Sequence, residues 1–280
     1  MKKIQIIPNV ITAFGLLCGL FVIFKLSQTP LNAVTPELLN QTAGILLLAA
    51  LADLLDGAVA RVMKAESEFG GLFDSMADAI TFGVAPTILV LKSLSLPTDN
   101  PLSFWATIAA LVFSICGVLR LVRYNVTAHL AKSNPEDAIA NHKHFTGLPI
   151  PASAAALVSL NLFLASHDRI ALFDLDESLR AILLSLAMFI LGYFMVSRWK
   201  FPSLKSLHIR VASFRIVFIT VFATALIFYG ILHHFAFVFF IISWSYLVIA
   251  WTIAIIRKIA GRKSKTLEEF EPDPEDEFEE

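Results

Sequence analysis

Long apolar runs, broken by short polar stretches, dominate the chain. Eight segments meet or approach the roughly 20 apolar residues needed to cross a bilayer's hydrocarbon core: about 8–26, 42–63, 70–92, 103–123, 148–166, 179–197, 212–231 and 235–256. Helix is the expected form of each, because a loop or open sheet in lipid leaves backbone groups unpaired. The pattern predicts an all-α polytopic membrane protein of about eight transmembrane helices, with 27–41, 93–102 and 167–178 as short connectors on one side and 124–147 as the longest connector on the other.

Composition agrees with the pattern. Of the 280 residues 57% are hydrophobic and 16% charged, and the mean hydropathy is +0.73, far from an ordinary soluble domain. Charge then sets an orientation. With the N-terminus cytoplasmic, only Lys25, Lys92, Arg169 and Arg180 of the 22 Lys and Arg fall on the far side. That bias is what the positive-inside rule predicts for an even number of spans. Both termini are then cytoplasmic, and the N-terminal run reads as a retained helix rather than a signal peptide. Residues 1–257 read as one membrane-embedded domain. Residues 258–280 read as a basic anchor followed by a solvated tail, since Glu268 to Glu280 hold nine carboxylates and no Lys or Arg. Cys18 and Cys116 lie in apolar runs and read as packing residues. No nucleic-acid partner is expected.

The candidate chemistry lies in or beside the second and third apolar segments, where Asp53, Asp56, Asp74 and Asp78 fall within 26 residues. Ionisable groups at such depth are costly and point to function. Asp53 and Asp56 are three apart, with Gly57 and Ala60 continuing the stripe, while Gly70, Asp74 and Asp78 repeat every four residues on one face. Two adjacent helices can therefore aim four carboxylates into one cavity. Like charges so placed need compensation, and hard oxygen ligands without interleaved His or Cys suit Mg²⁺, Mn²⁺ or Ca²⁺ rather than zinc. The alternatives are ion pairing with Arg61, Lys64, Arg120 or Arg123, and helix capping in a transporter. The small residues Gly57, Ala60 and Gly70 either admit a phosphate-bearing group to the helix backbone or pack helices together. His142-Lys-His144 and His233-His234 lack further spaced ligands and carry little.

The run Asp53-x-x-Asp56-Gly57-x-x-Ala60-Arg61, eight residues, then Gly70-x-x-x-Asp74-x-x-x-Asp78 resembles the complete signature of the CDP-alcohol phosphotransferases. Outside it, Pro8-Asn9-x-x-Thr12, Leu119-Arg120-Leu-Val-Arg123-Tyr-Asn125, Phe145-Thr-Gly147-Leu-Pro149-Ile-Pro151 and Met195-Val-Ser197 with Phe201-Pro-Ser resemble the membrane-embedded phosphatidylserine synthase branch. The resemblance implies CDP-diacylglycerol and L-serine as substrates, phosphatidylserine and CMP as products, and two divalent cations, Mg²⁺ or Mn²⁺, held by Asp53, Asp56, Asp74 and Asp78. It assigns Asp78 as the base. Gly57, Ala60, Arg61 and Gly70 match positions toward CDP-diacylglycerol, with Arg61 as a phosphate fork or a snorkelling helix end. Arg120, Arg123 and Asn125 are candidates for the serine carboxylate or a lipid phosphate, or simple interface anchors. A homodimer in the bacterial inner membrane is the implied setting. Competing readings are another acceptor (glycerol 3-phosphate, inositol phosphate or choline), a prenyltransferase, and a carboxylate-based ion transporter.

Overall fold

The computed structural model describes residues 6–65, 67–97, 99–133, 147–166, 176–197 and 234–260. Its helices are α1 (Ile6–Gln28), α2 (Pro36–Val62), α3 (Glu68–Asp78), α4 (Ala85–Leu94), α5 (Pro101–Ser133), α6 (Ile150–Ala165), α7 (Glu177–Val196) and α8 (Phe235–Ala260). A π-helical turn, Ala79–Val84, fuses α3 to α4, and a short 3₁₀ turn, Leu31–Ala33, precedes α2. Among the described residues there is no strand. Six helical stretches are long and apolar enough to cross a membrane, counting α3–α4 as one, which makes this a multi-pass membrane protein. The predicted segment 148–166 is an apolar helix of only 16 residues, α6. At 1.5 Å per residue it spans about 24 Å, short of a 30 Å hydrocarbon core. The predicted segment 212–231 lies outside the described residues, as do His142, His144, His233 and the tail from residue 261.

Local sequence explains the boundaries. Thr35 caps α2 by accepting from the Leu38 amide at 3.2 Å, and Pro36 occupies a first-turn position where no amide is needed. At the other end of α2, Lys64 takes a left-handed φ of 48°, with Ala65 N–H donating to the Ala60 carbonyl and Lys64 N–H to that of Arg61. That is a Schellman closure. Ser67 then caps α3 by accepting from the Gly70 amide at 3.0 Å. The reversal is short, and α1 packs against both α2 and α3. The π turn has a cause too. Pro86 cannot donate to the carbonyl of Phe82, so the ladder slips, and Ala85 N–H reaches Ile80 instead.

The α3–α4 span is the centre of the bundle: 61% of its apolar window is buried, against 39% or less for the other five spans. α1 packs along α2, α5 along α7, and α8 on α6, where Trp244 Nε1 donates to the Ala156 carbonyl at 3.1 Å. Phe113, Ile150, Leu157, Leu184 and Met188 fill one apolar cluster, and Val22, Leu26, Leu39, Leu46 and Leu89 fill another. In lipid such packing, rather than water exclusion, holds helices together. Polar contacts mark one end of the bundle. Lys92 Nζ donates to the Thr29 carbonyl at 3.0 Å, Ser93 Oγ to Asn161 Oδ1 at 2.7 Å, and Arg180 to both Ser93 and Asn161. These residues all sit where the sequence pattern puts a single side of the membrane. The α2–α3 reversal and the end of α5 lie at the opposite end.

Candidate metal and phosphate site

The chain reversal after α2 and the packing of α1 on both helices bring the signature together. Asp53 and Asp56 on α2 and Asp74 on α3 each offer a carboxylate oxygen within 4.8 Å of the other two. Asp56 is buried and the others are half-buried. Asp78, one helical turn beyond Asp74, lies outside this triad but lines the same narrow hole together with Asp53, Asp56, Asp74, Thr12 and Thr81. That hole has a volume of about 10 Å³. It opens beside a far larger cavity of about 420 Å³, and Thr12, Asp56 and Asp74 belong to the walls of both. The larger cavity is lined further by Asn9, Gly57, Ala60, Arg61, Ser67 and Gly70.

Two of the four cations named as alternative partners, Arg61 and Arg123, are engaged elsewhere. Arg61 Nε donates to the Gly57 carbonyl at 2.8 Å within its own helix. Arg123 donates to the carbonyls of Val196 at 3.0 Å and Ser197 at 3.4 Å, tying α5 to the end of α7. Asn125 accepts from Ser75 Oγ at 3.2 Å, joining α5 to α3. Arg120 is the one arginine within electrostatic reach of Asp78, and its buried Nε has no hydrogen-bond partner among the described residues. Three convergent carboxylates, none of them ion-paired among the described residues, are a donor set for a divalent metal. Oxygen-only ligation fits a hard cation of the Mg²⁺, Mn²⁺ or Ca²⁺ kind.

The glycines have distinct roles. A Cβ at Gly57 would meet only Arg61, at 4.0 Å, so this position is open to the cavity rather than to a packed helix. A Cβ at Gly70 would lie 3.0 Å from Ser67 Oγ and 3.1 Å from Asn9 Oδ1, so Gly70 serves the close approach of α1 to the α3 cap.

Motif spacing on α2 and α3 assigns no role to Thr12, Asn9 or Thr81. Thr12 Oγ1 donates to Asp56 Oδ2 at 2.5 Å from a different helix. The signal available in the sequence was a hydroxyl residue in an apolar run, four residues after Pro8, and hydroxyls often do no more than bond their own helix.

The model of the CDP-alcohol phosphatidyltransferase family matches residues 5–197, which contain every residue of the site. The chain is 35% identical to the CDP-diacylglycerol–serine O-phosphatidyltransferase of Mycobacterium tuberculosis (strain H37Rv) over 161 residues, 56% of this chain and 49% of that protein. It is 33% identical to the enzyme of that name from Bacillus subtilis over 199 residues, 71% of this chain and 91% of the relative. For the one from Methanocaldococcus jannaschii the figures are 32% over 202 residues, 72% and 76%. The chain spans about half the length of the mycobacterial relatives it matches. With the signature aspartates gathered at one cavity and the family's pattern matched over residues 5–197, the chain belongs to the CDP-alcohol phosphatidyltransferase family.

Proposed function

We propose that this chain transfers the phosphatidyl group of CDP-diacylglycerol to the hydroxyl of L-serine, giving phosphatidylserine and CMP. The observation that carries the reading is the carboxylate triad, with oxygens within 4.8 Å, two of whose members, Asp56 and Asp74, line a 420 Å³ cavity together with Gly57, Ala60, Gly70 and Arg61. The names of the relatives point to serine as acceptor.

Asp53, Asp56 and Asp74, with Asp78 beside them, are the residues that would hold two divalent cations, Mg²⁺ or Mn²⁺. Bound there, such ions supply charge compensation for the diphosphate and for the phosphoryl oxygens as negative charge builds on them. The chain's own groups do the rest. Gly57, Ala60 and Gly70 let the nucleotide diphosphate lie against the helix backbones. Arg61, whose Nε is spent on Gly57, keeps its terminal nitrogens for a phosphate oxygen. Asp78 accepts the proton of the serine hydroxyl as the serine oxygen bonds to the phosphorus of the phosphatidyl group. The bond from that phosphorus to the bridging oxygen breaks, and CMP leaves with it. Arg120, within electrostatic reach of Asp78, is the cation for the serine carboxylate, while Arg123 and Asn125 fix the neighbouring helix ends. Orientation of this kind contributes much of the rate in phosphoryl transfer.

Residues 1–257 form the membrane domain on this reading, and 258–280 a cytoplasmic basic stretch and acidic tail. Both termini and the site face the cytoplasm, as the placement of Lys and Arg supports. The protein resides in the inner membrane as a homodimer. A second reading keeps the site and changes the acceptor to glycerol 3-phosphate, inositol phosphate or choline, with Arg120 again facing an anion in the first two cases.

The test is CMP release from CDP-diacylglycerol by detergent-purified protein with Mn²⁺, Mg²⁺ or EDTA, offering each acceptor in turn. Phosphatidylserine formation with L-serine alone, abolished by EDTA and lowered at least a hundredfold in Asp78→Asn, is expected for a lost general base. Preference for another acceptor would replace serine and keep the site. Metal-independent turnover would overturn the assignment of the aspartates.

A further inference from the structure

Thr81 stands three residues beyond Asp78, inside the π-helical turn, and is only 2% exposed. Its side chain lines the 10 Å³ hole together with all four aspartates. Its Oγ1 is buried and has no hydrogen-bond partner among the described residues. That is unusual for threonine in a helix, whose hydroxyl ordinarily returns to a carbonyl one turn back. Five other helical threonines of this protein do so: Thr12 to Pro8, Thr42 to Leu38, Thr107 to Ser103, Thr127 to Arg123 and Thr252 to Val248. A buried hydroxyl left unpaired costs about 1–3 kcal/mol, so the position calls for a partner in the hole it faces.

The surroundings keep this hydroxyl where it is. Gly19 on α1 lies against Thr81 so closely that a Cβ there would come 2.9 Å from the Thr81 Cα. The π slip, with Ala85 N–H bonding to Ile80, carries Thr81 out of the ordinary helical ladder just after the last aspartate. In the same hole, Thr12 already binds Asp56. The hole itself has about the volume that one water needs.

We infer that Thr81 is a positioning residue for the last aspartate: its hydroxyl donates toward the Asp78 carboxylate across a gap that one water fills, orienting that carboxylate when the aspartates take up metal. Thr12 and Thr81 then form a pair of hydroxyls, each steadying a carboxylate of the cluster. Thr81 touches neither substrate nor metal. The inference rests on the metal-binding reading of the aspartates.

The test is Mn²⁺ binding to detergent-purified full-length protein, followed by the electron paramagnetic resonance of free Mn²⁺, in wild type, Thr81→Val and Thr81→Ser. Thermal unfolding in EDTA is measured for the same three proteins. Groups that orient metal ligands from behind are worth about 10–100-fold in metal affinity. Thr81→Val is therefore expected to weaken Mn²⁺ binding at least about tenfold while unfolding at the same or a higher temperature in EDTA, because an isosteric methyl replaces an unpaired hydroxyl. Thr81→Ser is expected to restore binding. Equal Mn²⁺ affinity in Thr81→Val and wild type would overturn the inference. If Thr81→Val does not fold, failure of the folded Thr81→Ser to bind Mn²⁺ like wild type would overturn it as well, since serine keeps the hydroxyl. A wild type that binds no Mn²⁺ would instead overturn the metal reading beneath it.

Discussion

Thr12 and Asp56, 44 residues apart, are joined by a 2.5 Å hydrogen bond from hydroxyl to carboxylate, and that bond docks α1 onto the acidic face of α2. Thr12 Oγ1 also lies 3.1 Å from the Pro8 carbonyl, so its single proton has two acceptors, and the charged one is the stronger. Thr12 and Asp56 both line the narrow hole and the larger cavity. The contact therefore sets the angle of one carboxylate of the metal triad.

Replacing that hydroxyl by a methyl group is expected to cost turnover more than folding. A hydrogen bond to a charged group contributes about 1.5–3 kcal/mol. Thr12→Val should raise the Mn²⁺ concentration for half-maximal CMP release by about tenfold or more. Thr12→Ser should retain wild-type behaviour. A titration of activity against Mn²⁺ checks both.

Gly57 separates ligand space from helix packing. Because an added Cβ meets only Arg61 at 4.0 Å, larger side chains fit the folded apoprotein and enter the cavity. Gly57→Leu is expected to unfold at or above the wild-type temperature, since leaving glycine inside a helix gains up to about 1 kcal/mol. The KM for CDP-diacylglycerol should rise at least about tenfold. A large fall in unfolding temperature would instead mark Gly57 as a packing residue.

Gly19 is the contrasting case. A methyl at this position collides with the backbone of Thr81 at 2.9 Å, and backbone cannot swing aside as a side-chain tip can. Overpacking of this kind costs about 1–3 kcal/mol. Gly19→Ala should lower the unfolding temperature in detergent, and with it Mn²⁺ binding, because Thr81 moves with the α3–α4 span.

Arg120 and Arg123 share a helix face but should fail differently. Arg123 holds the carbonyls of Val196 and Ser197, so Arg123→Ala is expected to lower thermal stability by about 0.5–1.5 kcal/mol through the lost hydrogen bonds. Arg120 lies within electrostatic reach of Asp78. Arg120→Ala should raise the KM for L-serine at least about tenfold while leaving the KM for CDP-diacylglycerol close to wild type. Steady-state kinetics in both substrates separates the two.

Residues near in the chain were readable without coordinates. The apolar runs gave seven helices near their observed positions, because a bilayer imposes helix and length together. The pattern under-read α5, which continues to Ser133 past the predicted end at 123. Apolar periodicity ends at the membrane surface, and a helix need not. The spacing of Asp53, Asp56, Asp74 and Asp78 fixed which faces of α2 and α3 carry the carboxylates, since three- and four-residue steps return to one face of any α-helix.

The tertiary structure decided how those faces meet. The Schellman turn at Lys64 and the Ser67 cap reverse the chain, α1 packs on both α2 and α3, and only then do Asp53, Asp56 and Asp74 come within 4.8 Å of one another. Arg61, Arg120 and Arg123 looked interchangeable as partners for the aspartates, and packing sent Arg61 to Gly57, Arg123 to α7, and Arg120 to the neighbourhood of Asp78. Thr12 and Thr81 joined the aspartates from outside the α2–α3 spacing for the same reason. Sequence determines a residue's face on its own helix through backbone geometry. Its partner on another helix depends on how the helices dock, and that is settled by the packing of small residues such as Gly19, whose contacts lie far away along the chain.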